Sequence, residues 1–157
     1  MAVPRYRIIL AANETGWTLT MTDFDPAAAG WRLMEHDPMP AGVGMAWIKD
    51  TSDGRRYGMM TTPAHINPSG AIHGGVLMLF ADHTLGEYVS DAADKAPNVT
   101  IQLNTHFLDA VHPGQFLELR GGVTRATKSL IFVRGIIGVG DRDVVAVDGI
   151  WRVFRPR

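Results

Sequence analysis

Three things are missing from this sequence: cysteine, long apolar runs and a large net charge. Without cysteine the chain can form no disulfide, thiolate metal site or cysteine nucleophile, which agrees with a cytoplasmic location. No run reaches the roughly 18 to 20 apolar residues that a membrane-spanning helix needs, and the apolar part of the N-terminus is too short for a secretory signal. The formal net charge of −1 provides no basic field for nucleic acid. We therefore expect a cytoplasmic protein that binds neither nucleic acid nor a membrane.

Motifs of several common enzyme classes are also missing. The sequence has no G-x-S-x-G elbow, which argues against a serine hydrolase, and it has neither a P-loop nor a dinucleotide-binding fingerprint. Its 157 residues, 46% apolar and 20% charged, are typical of one globular domain with a hydrophobic core. Since no repeat or low-complexity linker divides the chain, we expect a single domain over residues 1–157. Residues 1–40 would form an N-terminal extension, and residues 41–157 the core.

The N-terminal extension carries weak signals of secondary structure. Residues 7–10 and 17–21 favour strands. Asp25 can cap a helix, and Pro26 suits a first helical position. We therefore predict a short helix over residues 27–35, which ends before the next proline.

Turn residues divide the rest of the chain into strands around one helix. Six strands are predicted, at residues 42–49, 55–62, 98–108, 115–124, 129–139 and 144–154. In the third of these, Val99, Ile101 and Leu103 alternate with polar residues, which predicts a strand with one buried face. About six mostly hairpin-linked strands with one long helix indicate an α+β fold rather than a doubly wound sheet.

The central stretch, residues 65–86, reads HINPSGAIHGGVLMLFADHTLG. Its first half is rich in loop-forming residues, and its second half is almost wholly apolar and has the length of a buried helix. Asp82 is the only acidic residue between Ala71 and Gly86, where there is no Lys or Arg. Because a carboxylate is costly to bury without a partner, Asp82 is either held in a hydrogen-bond network or placed there for chemistry.

The spacing of His73 and Asp82 restricts how both could act. Nine residues of helix place them roughly half a turn apart in angle and roughly 13 Å apart along the axis. They cannot meet at one site within one chain. If both residues act, a second copy of the chain must bring its Asp82 to this copy's His73. Two-fold dimers form shared sites of this kind, so the spacing predicts a dimer.

The start of the central helix has features of an oxyanion hole. Gly70, Gly74 and Gly75 leave backbone N–H groups accessible, and the helix N-terminus favours negative charge. Backbone donors of this kind stabilise the oxyanion that forms when a carbonyl is attacked. A carboxylate that faces them suggests direct attack on a carbonyl or activation of water to attack it.

The same stretch resembles the hotdog-fold acyl-CoA thioesterases of the phenylacetate-pathway type. Their motif runs Asn-Pro-x-Gly-x-x-His-Gly-Gly, with an acidic residue nine positions after the histidine. The residues that match it at this spacing are Asn67, Pro68, Gly70, His73, Gly74, Gly75 and Asp82. The resemblance continues in VTIQLNTHFLDAVHPG, ATKSLIFVRG and WRVF, and covers about residues 41–154. It implies a hotdog fold, in which a curved antiparallel sheet wraps one long helix, and a homodimer whose two sheets join, often within a tetramer.

The resemblance also implies a role for each matched residue. Asp82 would be the nucleophile or general base, supplied by one subunit. The Gly74 N–H of the other subunit would polarise the thioester carbonyl, and Asn67 would orient water or the carboxylate. His73 would position the turn or contact the thioester. Thr100 would hold the lytic water.

Several further residues are candidates for substrate binding. Gly75 would allow a substrate to approach the backbone, and Met78 and Leu79 would line an acyl pocket. Arg125 and Lys128, near a turn between late strands, would meet the phosphates of coenzyme A. Each has a structural alternative: tight packing for Gly75, core packing for Met78 and Leu79, and ordinary surface charge for the two basic residues.

Three other polar residues are of the types that bind metal ions, but their spacing argues against a metal site. His106, Asp109 and His112 flank a Pro-Gly turn instead of sharing one face of a helix, so we expect no metal. For Asp82, His73 and Asn67 there are structural alternatives too. Asp82 could be hydrogen-bonded in the core or at a dimer seam, and His73 and Asn67 could hold the turn and the loop.

A thioester suits a site with a single acid. A thiol has a reference pKa of about 8.5, so a thiolate can leave with little protonation, and no second acid–base residue is required. We therefore predict an enzyme that hydrolyses an acyl-CoA thioester, with no cofactor beyond the coenzyme A of its substrate. Two alternatives remain. One is a hotdog hydratase or dehydratase that acts on enoyl thioesters, and the other is a non-catalytic protein that binds acyl thioesters.

Overall fold

One long helix packs against an antiparallel sheet in a computed structural model, which describes residues 9–13, 16–20, 24–34, 39–40 and 43–155. The described strands are β1 (Ile9–Asn13), β2 (Gly16–Thr20), β3 (Arg32–Leu33), β4 (Ala46–Thr51), β5 (Gly54–Met60), β6 (Asn98–Phe107), β7 (Phe116–Ala126), β8 (Leu130–Val139) and β9 (Arg142–Val153). The helix α1 is Gly74–Ala92, and a 3-10 turn, Pro63–His65, precedes it. β1 and β2 form a separate ribbon. The other strands form one sheet in the order β3-β4-β5-β7-β8-β9-β6.

The core lies between α1 and one face of the large sheet. Leu77, Phe80, Ala81, Leu85 and Val89 are buried along one stripe of the helix, at the three- and four-residue spacing of an amphipathic helix. The buried residues of the sheet alternate with outward ones, as the period of two requires. Those that meet the helix side include Tyr57, Met59, Leu117, Leu119, Ile131, Val133, Ile137, Val145 and Val147. This is the α+β arrangement predicted from the sequence.

The strand predictions for the core are confirmed, with small differences at the ends. The largest is at the start of β4, which begins at Ala46, so that residues 43–45 of the predicted range are not in the strand and residue 42 lies outside the described residues. Gly44 has a φ of +102°, a conformation that interrupts an extended strand. The weak strand predictions at residues 7–10 and 17–21 overlap β1 and β2, although residues 7, 8 and 21 lie outside the described part.

The predicted N-terminal helix over residues 27–35 is wrong. Asp25 does cap, since its Oδ1 accepts a hydrogen bond of 2.9 Å from the N–H of Ala27, but only one turn follows. Gly30 then takes a φ of +83°, the left-handed conformation that commonly ends helices. The chain continues as β3, which pairs with β4. The last residue of the predicted range lies outside the described residues.

A β-bulge divides β6 into two parts. Between Thr100 and Gln102 the pairing with β9 skips one residue, so Ile101 has no partner of its own. The predicted alternation is therefore wrong in its first half: Leu103 packs against the core, but Val99 and Ile101 are exposed. Because of the extra residue, the side chain of Thr100 faces the helix side of the sheet. With strict alternation, Thr100 would face the opposite side from Leu103.

β6 also forms the end of the sheet. Among the described strands it pairs only with β9, and its other edge has no neighbour there. Within the same described residues, no helix has the length and apolar character required to cross a bilayer. The cytoplasmic location stays a prediction.

Candidate active site

Asp82 and Thr100 are brought together by the bulge in β6. The Oγ1 of Thr100 donates a hydrogen bond of 2.7 Å to Oδ1 of Asp82, which is half-buried near the middle of α1. No other hydrogen bond or ion pair of Asp82 is formed with the described residues. The carboxylate is therefore held by one hydroxyl instead of being neutralised in a network, which leaves its second oxygen available for chemistry. The two residues line an open cleft of about 290 Å³ together with His83, Glu87, Ser90, Asn98 and Trp151.

His73 is the N-cap of α1. Its Nδ1 accepts a hydrogen bond of 3.0 Å from the N–H of Gly75, and its own N–H donates to the carbonyl of His65 at 2.8 Å. Because Nδ1 is an acceptor, this geometry requires a neutral ring with its proton on Nε2. A Cβ at Gly75 would lie 3.3 Å from Nδ1, so the absence of a side chain there gives the ring its place. His73 thus contacts the first turn of α1 through its ring, and its contact with a thioester stays a prediction.

Asn67 locks the loop before the helix. Its Oδ1 accepts hydrogen bonds from the N–H groups of Ser69, at 2.9 Å, and Ala71, at 3.2 Å. Gly70, in the same loop, has a φ of +83°, which a glycine adopts without strain. The carbonyl oxygen of the Asn67 side chain is thus occupied by the loop, and only its amide group could orient a water or a carboxylate.

Gly74 offers a backbone donor at the start of α1. It is the first helical residue, and its N–H has no acceptor in the described part of the chain. It borders a second open cleft, of about 350 Å³, whose other lining residues include Asn67, Ile72, Leu77, Phe107 and Val111. A free N–H at a helix N-terminus, next to a cleft, can bind a carbonyl oxygen and stabilise negative charge on it.

The two clefts lie toward different parts of α1 and have no lining residue in common. Gly74 and Asp82 are eight residues apart on one helix, which separates them by about 12 Å along its axis. One chain therefore brings Asp82 to Thr100 and Asn67 to Gly74, but it does not join these two pairs. A complete site with both the carboxylate and the donor requires a second chain.

The remaining predicted substrate residues lie outside both clefts. Met78 is exposed on α1, and Leu79 is half-buried against the core. Arg125 and Lys128 are exposed and form no ion pair with a described residue. Arg125 pairs with Phe132, and Phe132 pairs with Ile150, which also pairs with Gln102 of β6. Arg125 therefore lies near the level of Thr100 along the strands. Phe132 alternates with the buried Ile131 and Val133, so its partner Arg125 lies on the face of the sheet away from α1.

Asp109 is engaged by hydrogen bonds and an ion pair. Its carboxylate accepts a hydrogen bond of 2.8 Å from the N–H of Ala110 and forms an ion pair with Arg142. The backbone hydrogen bond, and then the guanidinium, lower the pKa of Asp109 below its usual value. No cluster of three or more His, Cys, Asp or Glu among the described residues could hold a metal ion.

Phe107, the last residue of β6, was not predicted as a site residue. Its ring lies against the start of α1, where the nearest ring atom, Cζ, would be 3.0 Å from a Cβ placed on Gly74. The sequence does contain a signal for it, an aromatic residue at the point where the predicted strand meets the loop before a Pro-Gly turn. Its contact with Gly74, which is 33 positions earlier in the sequence, follows only from the fold.

The sequence matches a family model described as the thioesterase superfamily over residues 69–146. This range includes Gly74, Asp82 and Thr100, and begins just after Asn67. Among curated proteins, the chain is 28% identical over 90 residues to a protein of Pseudomonas aeruginosa that is provisionally named an esterase. That match covers 57% of this chain and 67% of the relative.

Solved structures are similar in fold. One is the crystal structure of a Bacillus halodurans protein with coenzyme A, with a TM-score of 0.63 and 25% identity over 70% of this chain and 74% of that one. Another is the Escherichia coli PaaI protein from the phenylacetic acid degradation operon, with a TM-score of 0.58, 17% identity and 83% of each chain covered. These similarities confirm the hotdog fold that the family resemblance implied.

Proposed function

This chain belongs to the thioesterase superfamily, and we propose that it hydrolyses an acyl-CoA thioester to a free acid and coenzyme A. The observation that carries this proposal is the pair of complementary clefts. One presents a carboxylate held by a single hydroxyl, and the other presents a helix N–H without an acceptor in the described residues. A similar protein crystallised with coenzyme A, and a relative provisionally named an esterase, support the substrate class and the reaction.

In the proposed reaction, the thioester carbonyl oxygen accepts a hydrogen bond from the Gly74 N–H of one protomer. Asp82 of the other protomer acts as nucleophile or as general base. As a base it removes a proton from a water held near Thr100, and the water oxygen attacks the carbonyl carbon. The oxyanion that forms is stabilised by the N–H until the C–S bond breaks. The thiolate leaves unaided, since its thiol has a pKa of about 8.5, and no cofactor takes part.

The proposal requires a homodimer, which can assemble further into a tetramer. β6 is suited to the dimer contact, because one of its edges is unpaired among the described strands and Val99 and Ile101 expose apolar side chains on it. An exposed apolar edge strand is a ready site for pairing with another chain. A two-fold axis would place the Asp82 cleft of each protomer opposite the Gly74 cleft of its partner.

Release of free thiol from short-chain, long-chain and aryl-CoA thioesters tests the function directly. We expect the wild-type protein to hydrolyse at least one class. Absence of thiol release across the panel, from a protein shown to be folded, would contradict the proposal. Substrate binding without turnover would then indicate a binding protein, and water addition to an enoyl thioester without thiol release would indicate a hydratase.

Replacing Thr100 by Val should lower kcat for hydrolysis about tenfold, the effect expected when one hydrogen bond to a charged group is lost. Valine keeps the shape of the side chain but cannot donate to Asp82. Thr105 provides a matched control, because it lies on the same side of β6, its Oγ1 has no hydrogen-bond partner among the described residues, and it borders neither cleft. Thr105→Val should leave kcat unchanged, and equal losses in both variants would show that the effect is a general one on the strand.

A further inference from the structure

Phe107 is half exposed although it lies on the buried side of the sheet. It pairs with Val145, a fully buried core residue, and thus faces the same side as α1. The residue is nevertheless 52% exposed, because the helix begins with two glycines and has no side chain there to cover the ring. The open part of the ring borders the Gly74 cleft.

The ring is close to the proposed carbonyl donor. Its Cζ would be 3.0 Å, and Cε1 3.3 Å, from a Cβ on Gly74. The bonds from nitrogen to Cα and from Cα to Cβ each add about 1.5 Å, so Cζ is at most about 6 Å from the Gly74 nitrogen. A carbonyl oxygen bonded to that N–H at about 2.9 Å brings the carbonyl carbon and its substituents into the same space.

The rest of this cleft suits an acyl group better than the polar arm of coenzyme A. Ile72, Leu77 and Val111 line it with buried apolar side chains. The Asn67 side-chain oxygen is occupied by its own loop, and Asp109 is paired with Arg142. Amides and phosphates would find few free partners here.

From this geometry we infer that Phe107 limits the width of the acyl group next to the thioester carbonyl. On this inference a straight chain passes beside the ring, whereas a branch at the α-carbon would meet it. Phe107 is thus a specificity-determining residue that selects acyl groups unbranched at this position. The inference rests on the proposed thioester hydrolysis and assigns to that activity a substrate class.

The test compares kcat/KM for the straight-chain acyl-CoA that the wild type hydrolyses best with kcat/KM for its α-methyl isomer of equal carbon number. The wild type should prefer the straight chain at least tenfold, a usual effect of one misplaced methyl group in a pocket. Phe107→Ala should reduce this preference about tenfold, and Phe107→Tyr, which keeps the ring, should retain it.

Phe154→Ala is the matched control. Phe154 is exposed to a similar degree, 51%, and borders neither cleft, so its removal should leave the preference unchanged. A wild type with no preference, or a Phe107→Ala variant with an unchanged preference, would overturn the inference. So would a change confined to the oligomeric state, measured by size-exclusion chromatography. If the wild type hydrolyses no thioester at all, the proposed function itself is wrong, and the two failures are thereby distinguished.

Discussion

Asp82→Asn should lower kcat/KM for thioester hydrolysis about 10³-fold, within the range for removal of a catalytic base. An amide of the same shape can neither attack the carbonyl nor accept a proton from water. Its oxygen can still accept the hydrogen bond from Thr100, so the local structure should be retained. Measurement of thiol release by the two proteins under identical conditions gives the ratio.

Asp91→Asn supplies the control for this variant. Asp91 is also on α1, but it is exposed, is paired with Arg55 and Lys95, and borders neither cleft. Its replacement removes a carboxylate from the same helix and should leave hydrolysis unaffected. Hydrolysis at the wild-type rate by folded Asp82→Asn would exclude this carboxylate as the catalytic group. Asp82 would then have only a structural role.

Gly74→Pro should lower kcat by 10²- to 10³-fold, the usual cost of one lost oxyanion donor. Proline has no N–H but is well tolerated as the first helical residue. His73 already has the extended backbone, φ −61° and ψ 131°, that a residue before proline adopts. The substitution therefore removes the donor while the helix retains its hydrogen bonds.

Gly74→Ala separates loss of the donor from steric effects. Alanine also brings a Cβ to within 3.0 Å of the Phe107 ring, which must then shift, but it keeps the N–H. Its kcat should exceed that of Gly74→Pro by at least tenfold if the N–H binds the oxyanion. Equal losses in the two variants would attribute the effect to displacement of the ring.

Mixing the two inactive proteins shows whether the site is shared. Refolded together in equal amounts, Asp82→Asn and Gly74→Pro should recover about a quarter of the wild-type activity. Half of the dimers are then mixed, and each mixed dimer has one intact site of two. A mixture that stays inactive, although size-exclusion chromatography shows dimers, would contradict a site built from two chains.

Much of this fold is readable from local patterns, because each strand of the core is bounded by turn residues and the helix is almost wholly apolar. The failures have local physical causes. Gly30 ends the N-terminal helix after one turn, because a single left-handed residue outweighs the favourable cap at Asp25. The bulge at Ile101 reverses the alternation of β6, and no periodicity count includes an unpaired residue.

The sequence likewise predicts some features of the candidate site and not others. The separation of Asp82 from the helix start follows from the helix rise alone, and the placement of both ends on one helix follows from the apolar run. The contact of Thr100 with Asp82 depends on the bulge, and that of Phe107 with Gly74 depends on how far β6 extends past the helix start. Both are long-range consequences of packing, which a single sequence does not display.

β6 extends from one cleft to the other. Thr100, before the bulge, holds Asp82, whereas Phe107, at the opposite end of the strand, borders the Gly74 cleft. In the proposed dimer these two residues of one protomer belong to different active sites. β6 of each protomer therefore contributes one residue to each of the two active sites of the proposed dimer.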